Sequence, residues 1–574
     1  MAEASSVSVA FVGSGGAGVL TTGGMLLEAA CTAGWNGLLT RSVGPQIRGG
    51  EAAAMVRLAA HPLECHTDHF DLVIAVDWLN AHRFAAELPL NSRSLVVSDP
   101  LGGAVPDFVT TAGARVIEVP LKQMSKTMPE WRANMIALGA AARLLRMPDD
   151  ALRTSIAKRF GAKGAAIVSA NVSAVEAGAK AVEAQAFEPR LPAPRAHTGK
   201  RWLITGNEAA ALGALRGGVR FVAAYPITPA SEILEWLAPN LPKVGGVLVQ
   251  AEDELASISM IIGSSYGGTP ALTATSGPGL ALMIEAIGLA TAAEVPIVVI
   301  DVMRGGPSTG IPTKSEQGDL NIAVYGLHGD APHIVVAPQS VTDCLFTTQW
   351  ATYLAEALQA PALVLSDQFL GQTQAAIEQP PDIAFVGERL KAVEFATPYK
   401  RYALGGTGVS PMAIPGTRGG QYTADGLTHT ERGIPTSTVA DHRAQLDKRR
   451  DKLDQFNYGA HWATIQGAGD VAVLTWGSLT GAAREAIAIA RADGLEVKLI
   501  APRLLSPPRP KEMAAALANI KRLLVVEQTH SAQFYRYLKA HYELPANTGV
   551  LHRAGPLPIL PSEIHRALMT GDPA

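Results

Sequence analysis

The stretch Phe221-Val-Ala-Ala-Tyr-Pro-Ile-Thr-Pro-Ala-Ser-Glu232 holds a short apolar run, two prolines that fix the backbone, and the first residue of a helical pattern over Glu232–Leu237. Strand, turn and helix in that order form the repeating unit of an open α/β sheet. Such sheets bind ligands at the carboxyl ends of their strands. Here that end offers the hydroxyls of Thr228 and Ser231. A helix N-cap explains Ser231. It does not explain a threonine held between Pro226 and Pro229.

Three further strand ends follow the same plan. The run Gly246–Gln250 leads into Gln250-Ala-Glu-Asp-Glu254. A helix start tolerates Asp253 and Glu254 through the macrodipole. That leaves Glu252, first after the strand, as the candidate for buried chemistry, with burial expected to raise its pKa. The run Ala271–Thr275 enters the turn of Thr273-Ala-Thr-Ser-Gly-Pro-Gly279, and Pro296–Val302 enters Asp301-Val-Met-Arg-Gly-Gly-Pro-Ser-Thr-Gly-Ile-Pro-Thr-Lys314. Arg304 at that strand end is a natural fork for a carboxylate. Each segment alone reads as a turn. Four at successive strand ends of one domain make a site.

With 574 residues the chain is too long for one core. The expected organisation is an α/β domain over 1–186, a linker over 187–197, a second α/β domain over 198–380, a Gly/Pro-rich insert with a helix over 381–466, and a third α/β domain over 467–574. In the first segment, strands at Val7–Val12, Leu72–Val76, Leu95–Val97 and Val116–Val119 alternate with amphipathic stretches at Met25–Ala33 and Met135–Leu145. That alternation predicts parallel βαβ units. Three prolines within Phe187–Arg195 predict a stiff linker. In the second segment, Val219–Ala224 and Ala362–Leu365 complete the strand set. The insert ends in the charged helical run Arg443–Leu453. Val471–Thr475, Glu496–Ala501 and Arg522–Glu527 are the strands of the last domain.

Basic and acidic residues nearly cancel, 48 against 51, which predicts no nucleic-acid partner and no membrane-surface field. The longest apolar stretch, Ala286–Val302, is interrupted by Glu294, Pro296 and Asp301, so no membrane span is expected. The N-terminal residues carry no basic leader, and a cytoplasmic protein is expected. Only Cys31, Cys65 and Cys344 occur, too few for a [4Fe–4S] cluster held by four thiolates.

Gly13-Ser-Gly-Gly-Ala-Gly18 follows an apolar strand and opens a helix, matching G-x-G-x-x-G. Classical NAD binding also needs an acid at the end of the next strand, and Trp35–Thr40 has none. A tight strand–helix turn and a site for another phosphate ligand both remain. Arg48, in the glycine-rich Gly44–Gly50 loop, could meet a phosphate or sit in a surface turn.

Tyr225-Pro-Ile-Thr-Pro229, Gln250-Ala-Glu252, Thr273–Gly279 and Arg304–Thr313 resemble, in order and spacing, the α subunit of the 2-oxoacid:ferredoxin oxidoreductases. These are thiamine-diphosphate enzymes that make acyl-CoA and reduced ferredoxin. Gly13–Val19 and Asn134-Met-Ile-Ala-Leu-Gly139 resemble the family's γ subunit, so the chain resembles a fused γ–α subunit over essentially its whole length. The implied fold is α/β and multidomain: a Rossmann-like γ domain, a pyrimidine-type thiamine-diphosphate domain, and a transketolase C-terminal-like domain. The resemblance implies that Glu252 contacts N1′ of the aminopyrimidine, with Tyr225, Pro226, Ile227, Ser276 and Gly277 lining that cofactor. It implies that Arg304 holds the oxoacid carboxylate and Thr228 lies near the reacting carbonyl. Thr309, Thr313 and Lys314 are candidates for the far end of the substrate.

Gly13, Gly15, Gly16, Gly18 and Arg48 are candidate contacts for CoA phosphates. No G-D-G…N motif for Mg²⁺ and diphosphate occurs, so the family resemblance assigns the Mg²⁺ ligands and the [4Fe–4S] cluster to a separate β subunit and none to this chain. A dimer of heterodimers passing electrons to ferredoxin is implied, reversible toward CO₂ fixation with strong reductant. The last domain is expected to be architectural, with Glu527-Gln528 in subunit contacts. The form of Arg304–Gly310, with Pro398-Tyr399 and His429, looks most like the 2-oxoglutarate branch. A second substrate carboxylate then needs Lys314, His429 or a β-subunit residue. Pyruvate, branched-chain or aryl-pyruvate oxoacids are alternatives within the family, and an NAD-binding dehydrogenase is one outside it.

Overall fold

The first predicted strand extends to β1 (Ser6–Ser14), and its neighbours reveal a mixed sheet rather than a purely parallel one. In the computed structural model, which describes residues 6–44, 50–194, 197, 199–393 and 398–572, the chain forms two compact units. The first comprises Met1–Thr205 with Gln372–Pro381. It contains β1, β2 (Asn36–Val43), β3 (Glu51–Ala59), β4 (Leu72–Ala75), β5 (Leu95–Ser98), β6 (Arg115–Glu118), β7 (Arg201–Thr205) and β14 (Gln374–Glu378). Their order is β6-β5-β4-β1-β3-β2-β14-β7. The β6-β5-β4-β1 half is parallel, as the alternation predicts.

The other half corrects the expectation, because β3 runs antiparallel to both β1 and β2. The connection from β2 to β3 is too short for a crossover helix, so the two strands pair as neighbours. The β3 sequence, Glu-Ala-Ala-Ala-Met-Val-Arg-Leu-Ala, is rich in helix formers, yet every residue of it is buried between two strands. Tertiary burial outweighs propensity there.

The helices Val19–Thr32 and Ala133–Leu145 contribute to one core of this unit. The helix Ala165–Ala181 crosses Ala133–Leu145 at Gly139 and Gly178, where a Cβ on either glycine would run into the other helix's backbone. The proline-rich stretch is no free spacer. Trp35 Nε1 donates to Pro192 O at 2.8 Å, Phe187 is buried, and the unit runs on to Thr205.

The second unit comprises Gly206–Gly371 and Asp382–Ala574. Its larger sheet is built from β8 (Phe221–Ala224), β9 (Val247–Gln250), β10 (Ala271–Thr275), β11 (Val298–Met303), β12 (Ile334–Val336), β13 (Ala362–Asp367) and β18 (Leu504–Ser506). The order is β18-β12-β13-β11-β10-β8-β9, parallel except for β18. The smaller sheet, β15-β17-β16-β19-β20, contains β15 (Ala463–Gln466), β16 (Val471–Thr475), β17 (Val497–Pro502), β19 (Arg522–Glu527) and β20 (Asn547–His552). β18, contributed by the C-terminal region, therefore seals the edge of the larger sheet. No described helix is long and apolar enough to cross a membrane.

The stretch 381–438 is mostly irregular and is pinned by buried charge. Glu294, fully buried just past the helix Gly277–Ala292, accepts from Lys448 Nζ at 2.7 Å and Lys452 Nζ at 2.8 Å. Both lysines lie on the helix Val439–Asp454, which contains the predicted Arg443–Leu453 run. Arg401 Nη2 donates to Glu294 O at 2.9 Å, and Lys448 Nζ also reaches Ser410 Oγ at 2.7 Å. Burial alone would raise the Glu294 pKa, but Lys452, Lys448 and Arg401 outweigh it and hold the carboxyl well below its usual range. Burial pushes Lys448 down to about 8 against the pull of Glu294.

Removing one partner of a buried charge cluster costs about 3–5 kcal/mol, because the remaining charges lose their counter-ion. Glu294→Gln is therefore expected to lower the first thermal transition markedly. A depressed carboxyl pKa stabilises above the unfolded value of about 4.3, and the contribution is lost as pH falls below it. The wild-type advantage over Glu294→Gln should accordingly shrink on acidification, as measured by calorimetry.

Candidate active site

The strands β8, β9, β10 and β11 are parallel, so their carboxyl ends and the loops that follow them lie at one edge of the sheet. From β8 the chain moves outward to β9, whereas from β10 it moves the other way to β11. Loops departing in opposite directions leave a crevice between β8 and β10, the position at which open α/β sheets bind ligands. Thr228 belongs to the first loop and Ser276 and Gly277 to the second.

A hydrogen bond bridges the crevice. Arg304, directly after β11, donates from Nη1 to Thr228 O at 2.7 Å. Its Nε is buried without a partner. Ser276, the N-cap residue of the helix Gly277–Ala292, is fully buried and its Oγ has no partner. A Cβ on Gly277 would sit 2.6 Å from Asp319 Oδ2, so a larger residue there must displace that carboxyl. Tyr225, Pro226 and Thr228 are exposed and Ile227 is half-buried, so the first loop presents its side chains outward.

The loop after β11 folds back on itself. Gly305 N donates to Lys314 O at 3.0 Å and Ile311 N to Gly305 O at 2.9 Å. That closure returns the half-buried Lys314 to the strand end, while Thr309 is exposed and Thr313 half-buried. The loop's far end is clamped by the C-terminal region. Gln317 donates from N to Gln528 O at 3.0 Å and from Nε2 to Trp476 O at 2.8 Å, and its Oε1 accepts from Gln528 N at 2.9 Å. Gln528 thus serves an intrachain role, and Glu527 accepts from the backbone N–H of Phe534 and Tyr535 at the start of the next helix. Both side chains are buried by these contacts within the chain.

Two expectations need correction. Glu252 is exposed, not buried. It follows β9, the edge strand of the sheet. The buried carboxylate of that segment is Glu254, whose Cγ lies 2.7 Å from a Cβ position on Gly279, while Asp253 caps the helix Glu254–Tyr266 by accepting from Ala256 N at 2.7 Å. His429 is also misplaced as a substrate contact. Its ring lies 3.7 Å from that of Tyr402, in the Glu294 cluster at the far end of the helix Gly277–Ala292. That helix has 16 residues, and at 1.5 Å per residue it separates the two places by roughly 24 Å.

In the N-terminal unit, the glycine turn has its hydrogen bonds largely spoken for. Ser14 donates from Oγ to Asp77 Oδ2 at 2.9 Å, Gly15 N donates to Gly50 O at 2.5 Å, and Ala17 N to Ser14 O at 2.9 Å. Gly18 has φ 80°, and a Cβ there would fall 2.7 Å from Asn134 Nδ2. The Asp77 carboxylate is poorly placed to greet a phosphate, so the tight-turn reading accounts for Gly13, Gly15 and Gly18. Gly16, with φ 98°, faces open space. Arg48 lies outside the described residues.

Residues 212–448 match the family described as pyruvate flavodoxin/ferredoxin oxidoreductase, thiamine diP-bdg, and residues 8–181 match pyruvate ferredoxin/flavodoxin oxidoreductase. The chain is 38% identical over 331 residues to the 2-oxoglutarate synthase subunit KorA of Archaeoglobus fulgidus, covering 58% of this chain and 88% of that one. It is 35% identical over 369 residues to the subunit of the same name from Methanothermobacter marburgensis, covering 62% and 96%. Among solved structures it is similar to the 2-oxoglutarate:ferredoxin oxidoreductase from Magnetococcus marinus with 2-oxoglutarate, coenzyme A and succinyl-CoA bound. The TM-score is 0.93 at 35% identity, over 99% of this chain and 100% of that one. The chain belongs to the 2-oxoacid:ferredoxin oxidoreductase family.

Within this family the crevice of β8 and β10 lies in the thiamine-diphosphate-binding region. The residues present fit the ring portion of that cofactor: Ser276 holds a buried hydroxyl without a partner at the turn that opens the helix Gly277–Ala292. Among the described residues, no group of three or more His, Cys, Asp or Glu is arranged to hold a metal ion. The sequence reading missed Asp301, Asp319 and Gln317. A lone aspartate inside the apolar run of β11 was the available signal for the first.

Overpacking a tight turn costs about 1–3 kcal/mol. Gly277→Ala, which drives a methyl onto Asp319, should therefore weaken thiamine diphosphate binding by about tenfold or more. Titration calorimetry on the assembled enzyme measures it, and unchanged affinity would remove Gly277 from the cofactor pocket.

Proposed function

We propose that this chain is the fused γ–α subunit of a CoA-dependent 2-oxoglutarate:ferredoxin oxidoreductase that forms succinyl-CoA and CO₂. A separate β subunit carries the Mg²⁺ and diphosphate site and the [4Fe–4S] cluster, and ferredoxin takes the electrons. The supporting observation is the likeness, over 99% of the chain, to an enzyme whose structure holds 2-oxoglutarate, coenzyme A and succinyl-CoA. The Arg304–Thr228 bridge at the strand switch gives that likeness a chemical meaning. The location is cytoplasmic and the assembly a dimer of heterodimers.

Thiamine diphosphate, when bound, supplies the carbanion chemistry that cleaves the oxoacid. This chain's residues orient the reactants. Arg304, already fixed through Nη1, offers its remaining N–H groups to the C1 carboxylate, where charge-assisted bonds are strong. Thr228, tied to the same arginine through its carbonyl, brings its hydroxyl toward the C2 oxygen. Ser276 and Gly277 receive the aminopyrimidine, alongside Tyr225, Pro226 and Ile227. Glu252 holds a proton against the ring nitrogen N1′. An exposed carboxylate does this poorly, so the proposal has the β subunit covering Glu252 and drying its surroundings. Lys314 is this chain's candidate for the second carboxylate of 2-oxoglutarate, with Thr309 and Thr313 beside it. Contacts of CoA phosphates fall to Gly16 and Arg48 within the N-terminal unit.

Co-expression with the β subunit and assay of CoA-dependent ferredoxin reduction against a panel of oxoacids tests the reading. 2-Oxoglutarate should give the highest kcat/KM; preference for pyruvate, branched-chain or aryl-pyruvate substrates would transfer the chain to another branch. Glu252→Gln should lower turnover by more than about a hundredfold, the lower end of general acid–base contributions. Near-normal turnover in that variant would rule out the role of Glu252.

A further inference from the structure

Below the turn at Ser276 and Gly277 lie two carboxyl groups that the proposed chemistry does not use. Asp301 occupies the middle of β11, with Thr275 as its partner on β10 and Leu365 on β13. It is fully buried, and neither of its carboxyl oxygens has a protein donor. Asp319, the N-cap residue of the helix Leu320–Tyr325, points its carboxyl at Gly277 and at Asp301, with Oδ2 buried. Thr275, the β10 partner of Asp301, lies two residues before Gly277, so the two carboxyls meet beneath the same turn and each shifts the other's protonation. Carboxylate oxygens only accept, so a hydrogen bond between the two requires a proton.

The charged groups around the pair are few. Asp319 faces Asp301, Glu316 and Arg304, and Asp301 faces Asp319. Glu316 in turn accepts from Gly555 N at 3.2 Å and lies near His530. Three acids and one arginine therefore share the base of the crevice. Full ionisation would leave two like charges in contact in a dry site, which is strongly unfavourable.

We propose that Asp301 and Asp319 share one proton and thereby set the negative charge facing Arg304, making Asp319 a positioning residue that controls how tightly the site holds an anionic oxoacid. This rests on the reading of Arg304 as the oxoacid's carboxylate partner. Asp301 is the member that keeps the proton, because it is the more deeply buried and touches no cation. It donates to Asp319, whose charge is partly balanced by Arg304. Burial raises both groups, Asp301 well above its ordinary range and Asp319 to about 6. As pH falls through that region, Asp319 takes up a proton and Arg304 loses its nearby counter-charge. The guanidinium is then free to serve the substrate carboxylate alone.

Two measurements test this and separate it from the functional reading. Infrared spectroscopy of the purified full-length chain, with ¹³C-labelled aspartate, reads the carboxyl pair directly and needs no substrate. A protonated-carboxyl band should persist at neutral pH and disappear in Asp301→Asn; absence of the band in the wild type overturns the shared proton. In the complete enzyme, the KM for the oxoacid should fall about threefold to tenfold on acidification through the Asp319 titration, with kcat changing less. Asp319→Asn should hold KM at the low value across that range, whereas a structural role alone would change activity without flattening the profile. A wild-type band accompanied by an unchanged KM profile in Asp319→Asn overturns the coupling to Arg304. Failure of the complete enzyme to turn over any oxoacid overturns the functional reading instead, and leaves the infrared band to judge the pair.

Discussion

Everything at this site depends on parallel strands whose loops part company between β8 and β10. Parallel pairing sends every carboxyl end to the same edge, and the chain leaves β8 and β10 in opposite directions, the arrangement at which open sheets bind ligands. A threonine carbonyl from one loop and an arginine from another can then meet at 2.7 Å although they are 76 residues apart. No single loop could supply both groups at that geometry. The sheet does the positioning, and the loops need only the right residue at the first turn after each strand.

The loop after β11 is the exception, since it is too long to be held by its own strand. Its closure through Gly305 and Lys314 fixes the near end, and the Gln317–Gln528 exchange fixes the far end. A pair of glutamines exchanging backbone and side-chain hydrogen bonds is uncharged, so it carries little desolvation cost while satisfying buried polar groups. The C-terminal region is thereby more than a scaffold appended to the catalytic unit. It sets where the loop carrying Arg304 ends, and through β18 it also completes the sheet from which that loop emerges. The Glu294 cluster does comparable work at the opposite end of the helix Gly277–Ala292, holding irregular chain to the core by ion pairs.

How much of this could be read from sequence follows from how local each signal is. Strand ends such as β10 and β19 are marked by apolar runs and turn residues within a few positions, and both strands occupy the expected residues. β3 was hidden because its alanines, methionine and arginine favour a helix in isolation, and only burial between two strands makes them extended. Glu252 was placed at the correct strand end but given the wrong environment. Burial depends on what covers an edge strand, and no local pattern encodes that. His429 was excluded only by the folded path of the insert, whose glycines and prolines announce irregularity without saying where it leads. The aspartate in β11 was visible as an interruption, and its partner Asp319 was not, because it lies 18 positions further on, past the loop that follows β11.

The exposure of Glu252 has an energetic consequence for the assembled enzyme. The proposed contact with a ring nitrogen calls for a dry setting, whereas Glu252 is exposed among the described residues. Leu255, three residues on, and Tyr225, next to the β8 residue paired with Gln250, are exposed by 53% and 42%. Exposed apolar side chains beside a charged group are the kind of surface on which a partner docks. In the reading proposed above the β subunit would supply a wall that excludes water from this acid, and activity would then follow assembly.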